Sequence, residues 1–275
     1  MITFSNAKIN IGLHITAKRA DGYHNIETLF YPVRLADIIE ILPAKGKGNH
    51  LLVNTGATVD ADPSQNLCIK ALDALDSFIE TRRLKIYLHK LVPQGAGLGG
   101  GSSNAAFVLM AANRILNGGL DKAGMVSIAG RIGSDCPFFI HNRPLFAHGR
   151  GDQFEPSEIS LAGCSIVIVF PGIPVNTAWA YAMVKPAERK CQLREVLSED
   201  PETWKGRVVN DFEVPVFRAH PEIGKVKRVL EDSGALYASL TGSGGAVYGI
   251  FPEKSNTRKI RGEFAGMFVW SGALD

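Results

Sequence analysis

The sequence lacks the features of disulfide-rich, zinc-binding or membrane-spanning proteins. Four of its 275 residues are cysteine, and their scattered positions fit neither a disulfide framework nor a zinc site. No apolar stretch approaches the roughly 20 residues of a membrane span. The opening MITFSNAKIN lacks the basic and apolar blocks of a signal peptide. We therefore expect a cytoplasmic protein without a membrane partner.

The sequence also lacks a large excess of either positive or negative charge. The 30 lysines and arginines nearly balance the 27 aspartates and glutamates, which leaves a formal net charge of +3. Nucleic-acid and membrane-surface proteins usually carry a larger basic excess. No nucleic-acid partner and no obligate protein partner is indicated. The length permits one large domain or two modest ones, each with a core.

The segment AKINIGLHI, residues 7–15, alternates apolar and other residues and predicts a strand. Its second face carries Lys8, Asn10, Gly12 and His14, which is unusually polar for so apolar a segment. The pattern alone predicts a sheet with this second face in water.

Periodicity predicts further elements along the chain. Residues 26–33, 37–42 and 84–91 have strand patterns, a helix opens at Pro63-Ser64, and Asn104–Leu116 and Lys122–Ile132 have helix patterns. Strands are then predicted at 165–170, 236–240, 246–251 and 267–272, with helices near 221–232 and over 257–264. The second series is the β-α-β-β-α-β order of a ferredoxin-like domain. We expect one domain over residues 1–155 and another over 156–275.

The glycine-rich stretch VPQGAGLGGGSSNAAF, residues 92–107, joins a predicted strand to a predicted buried helix. A flexible linker would continue into polar sequence instead. Gly95, Gly97 and Gly100 match a dinucleotide fingerprint, but the acid at the right distance, Asp121, falls between two helices. A Walker A loop would need a Lys-Ser/Thr pair after the glycines. The stretch fits best a loop whose main-chain N–H groups bind a phosphate at a helix start.

Six segments together resemble the GHMP kinases. They are AKINIGLHI, DGYHNIETLF, PQGAGLGGGSSNAA, GSDCPFF, PGIPVNTAWAY and LTGSGGAVYGIF, and they run in order from residue 7 to residue 251. The resemblance implies an α+β, two-domain fold. Its N-terminal domain would be ribosomal-protein-S5-domain-2-like, and its C-terminal domain ferredoxin-like.

The resemblance also implies an activity, the transfer of the ATP γ-phosphate to a small-molecule hydroxyl with Mg²⁺. AKINIGLHI and DGYHNIETLF are most similar to the opening of a family member with a cytidine-containing substrate. This implies phosphorylation of the 2-hydroxyl of diphosphocytidyl methylerythritol, in the non-mevalonate route to isoprenoid precursors. Another GHMP kinase stays an alternative, as do a non-catalytic nucleotide-binding relative and, from the glycine fingerprint, a dinucleotide-binding oxidoreductase.

Site residues follow from the same motifs. Asp135 matches the catalytic aspartate of the family and Lys8 the catalytic lysine. The residues alone favour a turn or helix-cap aspartate at position 135 and leave a solvated strand lysine as the alternative for Lys8. The resemblance places ATP at Asn66, Lys90, Pro93, Gly95, Gly97, Leu98, Gly99, Gly100, Gly101, Ser102 and Ser103. It places the substrate at Asn10, Tyr23, His24, Thr177, Tyr181, Gly242 and Gly244. Trp179 could replace Tyr181 in stacking on the cytosine. No metal ligand is indicated beyond a possible serine hydroxyl of the loop.

Overall fold

The computed structural model describes residues 1–46, 48–57, 65–79, 82–187 and 192–275. The helix start predicted at Pro63-Ser64 lies outside them. The strands are β1 (Ile2–Lys18), β2 (His24–Pro43), β3 (Leu51–Gly56), β4 (Leu84–Lys90), β5 (Leu145–His148), β6 (Gln153–Pro156), β7 (Cys164–Phe170), β8 (Tyr237–Leu240), β9 (Val247–Pro252) and β10 (Phe268–Ala273). The helices are α1 (Leu67–Asp76), α2 (Gly100–Ile115), α3 (Lys122–Ile132), α4 (Cys136–His141), α5 (Thr177–Met183), α6 (Leu193–Leu197), α7 (Glu213–Ala219), α8 (Pro221–Asp232) and α9 (Thr257–Gly262).

The chain forms two compact units. Unit one comprises Met1–Ala7, Leu35–Gln94 and Gly99–Arg143, and unit two comprises Lys8–Arg34, Gly95–Leu98 and Pro144–Asp275. The long strands β1 and β2 thus contribute residues to both units. The division into domains 1–155 and 156–275 stays a prediction.

Unit one is a small sheet packed with helices. The second half of β2 pairs antiparallel with β4, and β4 pairs parallel with β3. The alternating residues Leu84, Ile86 and Leu88 of β4 are buried, as its pattern predicts. The alanine-rich helix α2 contacts α1, α3 and α4 and buries most of its side chains. This helix therefore has the central place among the helices of the unit.

Several predicted boundaries are wrong. Strand β1 extends over Ile2–Lys18 and not only over residues 7–15. Helix α2 begins at Gly100 and not at Asn104, because Gly99 adopts a left-handed conformation and the helix starts inside the glycine run. The segments 26–33 and 37–42 form one continuous strand, β2. The short β3, β5, β6 and α4 were not predicted, since segments this short give little periodic signal. The bounds of α3 and α8 are confirmed.

The expectation that β1 has one face in water is wrong. Lys8, Asn10 and His14 are at most 4 % exposed, and the apolar residues opposite them are buried as well. The alternation correctly indicated a strand, but it could not show that residues from elsewhere in the chain cover the polar face. A buried polar face needs partners for its donors and acceptors, and the site described below supplies several.

Unit two contains an antiparallel sheet with strand order β10-β7-β9-β8. In chain order this is fourth, first, third, second, and helices connect first to second and third to fourth. The ferredoxin-like prediction for this part of the chain is confirmed. Val167 and Val169 of β7 share a core with Ile223 and Leu230 of α8. In the described residues, no helix combines the length and apolarity needed to cross a bilayer.

Candidate active site

In unit one, the glycine run creates an uncapped helix start. Gly99 is the N-cap of α2, its φ is 70°, and no side chain caps the helix. The first turn contains no acidic residue. Main-chain N–H groups and the helix dipole therefore favour an anion at Gly100, Gly101 and Ser102.

The two serines of this turn differ in their surroundings. Ser103 is fully buried, and its hydroxyl donates to the Asn6 carbonyl at 2.6 Å. Its main-chain N–H donates to Gly99 at 2.9 Å. Ser102 is partly exposed and hydrogen-bonds to the Cys136 side chain. Ser102 is thus the better placed of the two for a ligand.

Asp135 immediately precedes α4 and lies beside this helix start. It takes the N-cap position of α4, but its side chain makes no capping hydrogen bond. The next residue, Cys136, is the one that hydrogen-bonds to Ser102. Burial raises the pKa of the Cys136 thiol to about 12. The thiol is therefore neutral at physiological pH. Within unit one, the predicted phosphate loop and the predicted catalytic aspartate are neighbours.

Asn66 and Lys90, which are predicted to contact ATP, have structural partners. The Asn66 side chain caps α1 by accepting the Cys68 N–H at 2.9 Å. The Lys90 ammonium is 4 % exposed and forms an ion pair with the fully buried Asp37. Its second acceptor is Asn104 Oδ1, at 3.0 Å. A Lys90 contact to a nucleotide would therefore come from its main chain.

Asp37 is a residue that the sequence did not indicate. Its carboxylate accepts the main-chain N–H groups of Leu91 and Val92 at 2.6 and 2.8 Å, and the Asn104 side-chain amide at 2.8 Å. One buried carboxylate thus fixes the chain as it leaves β4 and also the first turns of α2. In the sequence, Asp37 appears only as a polar residue within an apolar strand pattern.

In unit two, the second face of β1 presents Lys8 and Asn10 side by side. The Lys8 ammonium donates to Asn10 Oδ1 at 2.5 Å and lies 4.7 Å from the centre of the Phe30 ring. The Asn10 amide donates to the Thr28 hydroxyl at 3.1 Å. The predicted neighbourhood of Lys8 and Asn10 is correct, and Thr28 was not predicted.

Within unit two, Gly95–Leu98 of the glycine run pack against the segment LTGSGGAVYGIF, residues 240–251, which we call the late glycine motif. The Gly245 and Ala246 N–H groups donate to the Gly95 and Ala96 carbonyls at 3.1 Å. A Cβ on Gly97 would overlap the Thr241 carbonyl oxygen, so this approach requires glycine. The late glycine motif therefore holds this part of the glycine run in place.

The aromatic residues predicted for the substrate form one stack and one exposed ring. The His24 and Tyr181 rings stack on each other, with centroids 5.2 Å apart and an interplanar angle of 27°. Tyr181 also meets Phe212 edge-on at 4.9 Å. Tyr23 is 56 % exposed. The Tyr23 ring is therefore accessible for stacking by a nucleobase, and His24 is next to it in the sequence.

Burial lowers the pKa of His24 below its ordinary value of 6.5, and the Lys18 cation lowers it further. His24 is thus neutral at neutral pH, with one ring nitrogen as donor and the other as acceptor. The second aromatic candidate, Trp179, packs edge-on against His220 at 6.1 Å. The predicted substrate threonine, Thr177, begins α5 and accepts a hydrogen bond from the Ser243 hydroxyl at 3.1 Å.

Among the described residues, one group has the spacing of metal ligands, namely His50, Asp73 and Asp76. His50 Nδ1 accepts the Leu84 N–H at 3.1 Å, and Nε2 faces Asp76 at 3.3 Å. Both ring nitrogens of His50 thus already have partners within the protein. The group is an ordinary histidine–carboxylate contact.

Comparison with known proteins decides the family. The model of the GHMP kinases N terminal domain matches residues 66–143, and that of the GHMP kinases C terminal matches residues 193–269. The chain is 46 % identical over 274 residues to the 4-diphosphocytidyl-2-C-methyl-D-erythritol kinase of Parabacteroides distasonis, and the match covers 100 % of both chains. The chain belongs to the GHMP kinases.

Solved structures agree with this membership of the GHMP kinases. A crystal structure of a 4-(cytidine 5'-diphospho)-2C-methyl-D-erythritol kinase has a TM-score of 0.83 at 30 % identity, covering 100 % of this chain and 99 % of the other. The mevalonate kinase of Methanococcus jannaschii has a TM-score of 0.72 at 15 % identity, covering 100 % and 98 %. The second likeness concerns the fold alone. The predicted two-domain α+β GHMP kinase fold is confirmed.

Membership of the GHMP kinases makes this chain an ATP-dependent small-molecule kinase. The alternative of a dinucleotide-binding oxidoreductase is therefore wrong. The topology gives the physical reason, because the helix after the glycine run, α2, is followed by α3 and α4 and then by β5, which pairs antiparallel with β2 and not parallel with β4. A dinucleotide fingerprint belongs instead to a parallel βαβ unit.

Proposed function

We propose that this GHMP kinase phosphorylates the 2-hydroxyl of 4-diphosphocytidyl-2-C-methyl-D-erythritol, in the non-mevalonate route to isoprenoid precursors. The observation that carries the proposal is the full-length identity of 46 % with a relative of that name. The exposed Tyr23 ring beside the neutral His24 supports it, because a pyrimidine needs an aromatic face and a polar edge contact.

In the proposed reaction, the substrate hydroxyl oxygen attacks the γ-phosphorus of ATP. The bond from that phosphorus to its bridging oxygen breaks, and ADP leaves. Asp135, whose carboxylate lies at the start of α4 next to Cys136, accepts the hydroxyl proton. The amide donors at Gly100, Gly101 and Ser102 would stabilise the phosphate oxygens.

Lys8 is the proposed cationic residue of the reaction. A cation stabilises the charge that spreads over the transferring phosphoryl oxygens. Asn10 and the Phe30 ring orient the Lys8 ammonium in the described structure. Asn10 could therefore serve both as a partner of Lys8 and as a substrate contact.

The remaining ATP contacts are proposed for the glycine run and for the main chain around Asn66 and Lys90. The run contributes Pro93, Gly95, Gly97, Leu98, Gly99 and Ser103. Substrate contacts are proposed at Tyr23, His24, Thr177, Tyr181, Gly242 and Gly244. Tyr181 already stacks on His24. We therefore propose that Tyr181 supports His24 and that Tyr23 stacks on the cytosine.

Mg²⁺ fits the oxygen donors of unit one. The Ser102 hydroxyl at the helix start is a hard ligand of the kind that Mg²⁺ uses together with substrate phosphates. When bound, the ion would neutralise charge on the phosphate oxygens. Ser102 is accordingly our candidate for holding it, and Asp135 keeps the role of the base.

A panel of acceptors tests the proposed substrate. ADP release is measured with the diphosphocytidyl compound, mevalonate and homoserine at equal concentrations. We expect turnover with the diphosphocytidyl compound only. Turnover of mevalonate or homoserine without turnover of the diphosphocytidyl compound would refute the substrate and keep the family.

A further inference from the structure

The Tyr23 ring has a charged neighbour that none of the sequence motifs includes. The guanidinium carbon of Arg150 lies 5.1 Å from the centre of the Tyr23 ring, in the geometry of a cation–π contact. Arg150 belongs to the turn between β5 and β6, far from Tyr23 along the chain. One face of an otherwise exposed ring is thus occupied by a cation.

Arg150 is itself held in place. Its Nε and one terminal nitrogen donate to Asp152 Oδ2 at 3.1 and 3.0 Å. Its main-chain N–H donates to the other carboxylate oxygen at 3.1 Å. A guanidinium fixed by two hydrogen bonds to a carboxylate loses much of its freedom to rotate. The cation over Tyr23 therefore has a defined position.

The two turns that carry these residues are also joined through the backbone. The Ile26 N–H donates to the Gly149 carbonyl at 2.8 Å, which ties the β5–β6 turn to the start of β2. The Tyr23 N–H donates to Asp21 at 3.1 Å, and the Tyr23 carbonyl accepts the Arg19 N–H at 2.8 Å. The backbones below both side chains are fixed, and only the exposed Tyr23 ring needs a further restraint.

We infer that Arg150 is a positioning residue for substrate binding, which holds the Tyr23 ring by one face so that the other face receives the pyrimidine. This rests on the proposed function. An exposed tyrosine that had to be immobilised on binding would weaken affinity through lost rotamer freedom. Arg150 orders the ring in advance, and Asp152 orders Arg150.

The test is a steady-state comparison of Arg150→Met with the unaltered protein, with the diphosphocytidyl compound as acceptor. We expect the acceptor KM to rise about two- to five-fold, the range for an exposed cation–π contact, with kcat and the KM for ATP unchanged. Arg150→Lys keeps the positive charge but loses the planar guanidinium with its paired N–H donors. Its acceptor KM should therefore lie between those of the unaltered protein and Arg150→Met. Asp152→Asn should raise the acceptor KM less than Arg150→Met does.

Arg194→Met is the matched control. Arg194 makes the same kind of contact, 4.5 Å from the Phe146 ring with a Glu155 partner at 2.5 Å, but it covers a ring for which we propose no substrate contact. Its removal should leave the acceptor KM unchanged. Thermal unfolding of each variant verifies that it is folded.

A double substitution separates positioning from direct contact. In a Tyr23→Ala background, Arg150→Met should have no further effect on the acceptor KM. An equal rise in both backgrounds, or no rise in the Arg150→Met single variant, would overturn the inference. No turnover of the diphosphocytidyl compound by the unaltered protein would instead contradict the proposed function.

Discussion

Two aspartates illustrate how surroundings assign roles to single residues. Asp37 is fully buried and accepts hydrogen bonds on both carboxylate oxygens, so it stabilises the structure. Asp135 is partly exposed at the start of α4, so its carboxylate is accessible to a substrate. Both are ordinary aspartates in the sequence, and the motif GSDCPFF distinguished only the second.

Replacing Asp135 by asparagine should abolish most of the turnover. An amide cannot accept the hydroxyl proton, and loss of general base catalysis costs about 10²- to 10⁴-fold. We expect ADP release to fall by that factor while ATP affinity, measured by calorimetry, stays within about two-fold. The control is Asp121→Asn, because Asp121 caps α3 through Gly124 at 2.8 Å and asparagine caps equally well. Unchanged turnover in Asp135→Asn would remove this residue from the chemistry.

The neutral form of His24 should give the acceptor KM a pH dependence. Since burial lowers the pKa of His24 below 6.5, the folded state prefers the neutral ring. The stabilisation of the fold that comes from this preference is complete above the ordinary pKa of histidine and is lost as pH falls through the lowered pKa. We expect a constant acceptor KM from about pH 8 to about pH 6.5, and a rise below that. The rise should be absent in His24→Gln; its persistence there would assign it to another group.

Secondary-structure elements of this protein are connected by buried side chains that the apolar periodicity of the sequence does not reveal. The end of β4 and the first turns of α2 share the Asp37 carboxylate with Lys90 and Asn104. Periodicity predicted β4 and most of α2 because each carries a long apolar pattern. Where α2 begins depended on the left-handed Gly99, and glycine permits this conformation without requiring it.

Replacing Lys90 by methionine should destabilise the protein strongly. The substitution leaves the Asp37 charge buried without its cation, which typically costs about 3–5 kcal/mol. Chemical denaturation measures the loss of unfolding free energy. The exposed pair of Arg207 and Glu199, with side chains 45 % and 44 % exposed, is the control. Arg207→Met should cost no more than about 1 kcal/mol. Equal losses in the two variants would contradict the role given to the buried pair.

Two glycine-to-alanine substitutions should have opposite effects on stability. A Cβ at Gly97, whose φ is 81°, would overlap the Thr241 carbonyl, so Gly97→Ala should cost at least about 2 kcal/mol. Gly130 lies within α3, where the nearest neighbour of a new Cβ is Pro137 at 3.8 Å. Gly130→Ala should therefore stabilise by up to about 1 kcal/mol. The melting temperatures of the two variants measure these effects. An alanine tolerated at Gly97 would show that the glycine run and the loop at Thr241 do not need to pack so closely.

At the scale of the whole molecule, each unit is built from separate stretches of chain. β1 and β2 run through both units, so the N-terminal strand contributes Met1–Ala7 to one and Lys8 onward to the other. A single boundary in the sequence cannot describe such a division. Composition, which changes near residue 150, indicates only where the second series of elements begins.

Nucleotide binding should stabilise the whole protein. A ligand that binds only the folded state adds about 2.7 kcal/mol at a hundredfold excess over its Kd, and a chain of this size gains roughly 2–4 °C per kcal/mol. We expect ATP with Mg²⁺ to raise the melting temperature by at least about 5 °C, with NADH as the control that has no effect. Stabilisation by NADH and not by ATP would contradict the kinase assignment.

The sequence by itself determined the family, the order of the ferredoxin-like elements and the position of the glycine run for which we propose phosphate binding. These depend on motifs and on apolar periodicity, both of which are local. The tertiary structure alone decided that the polar face of β1 is buried, that Asp37 holds β4 and α2 together, and that Arg150 covers Tyr23. The physical reason is the same in each case: the partner is distant in sequence, and burial and charge pairing depend on what the fold brings into contact.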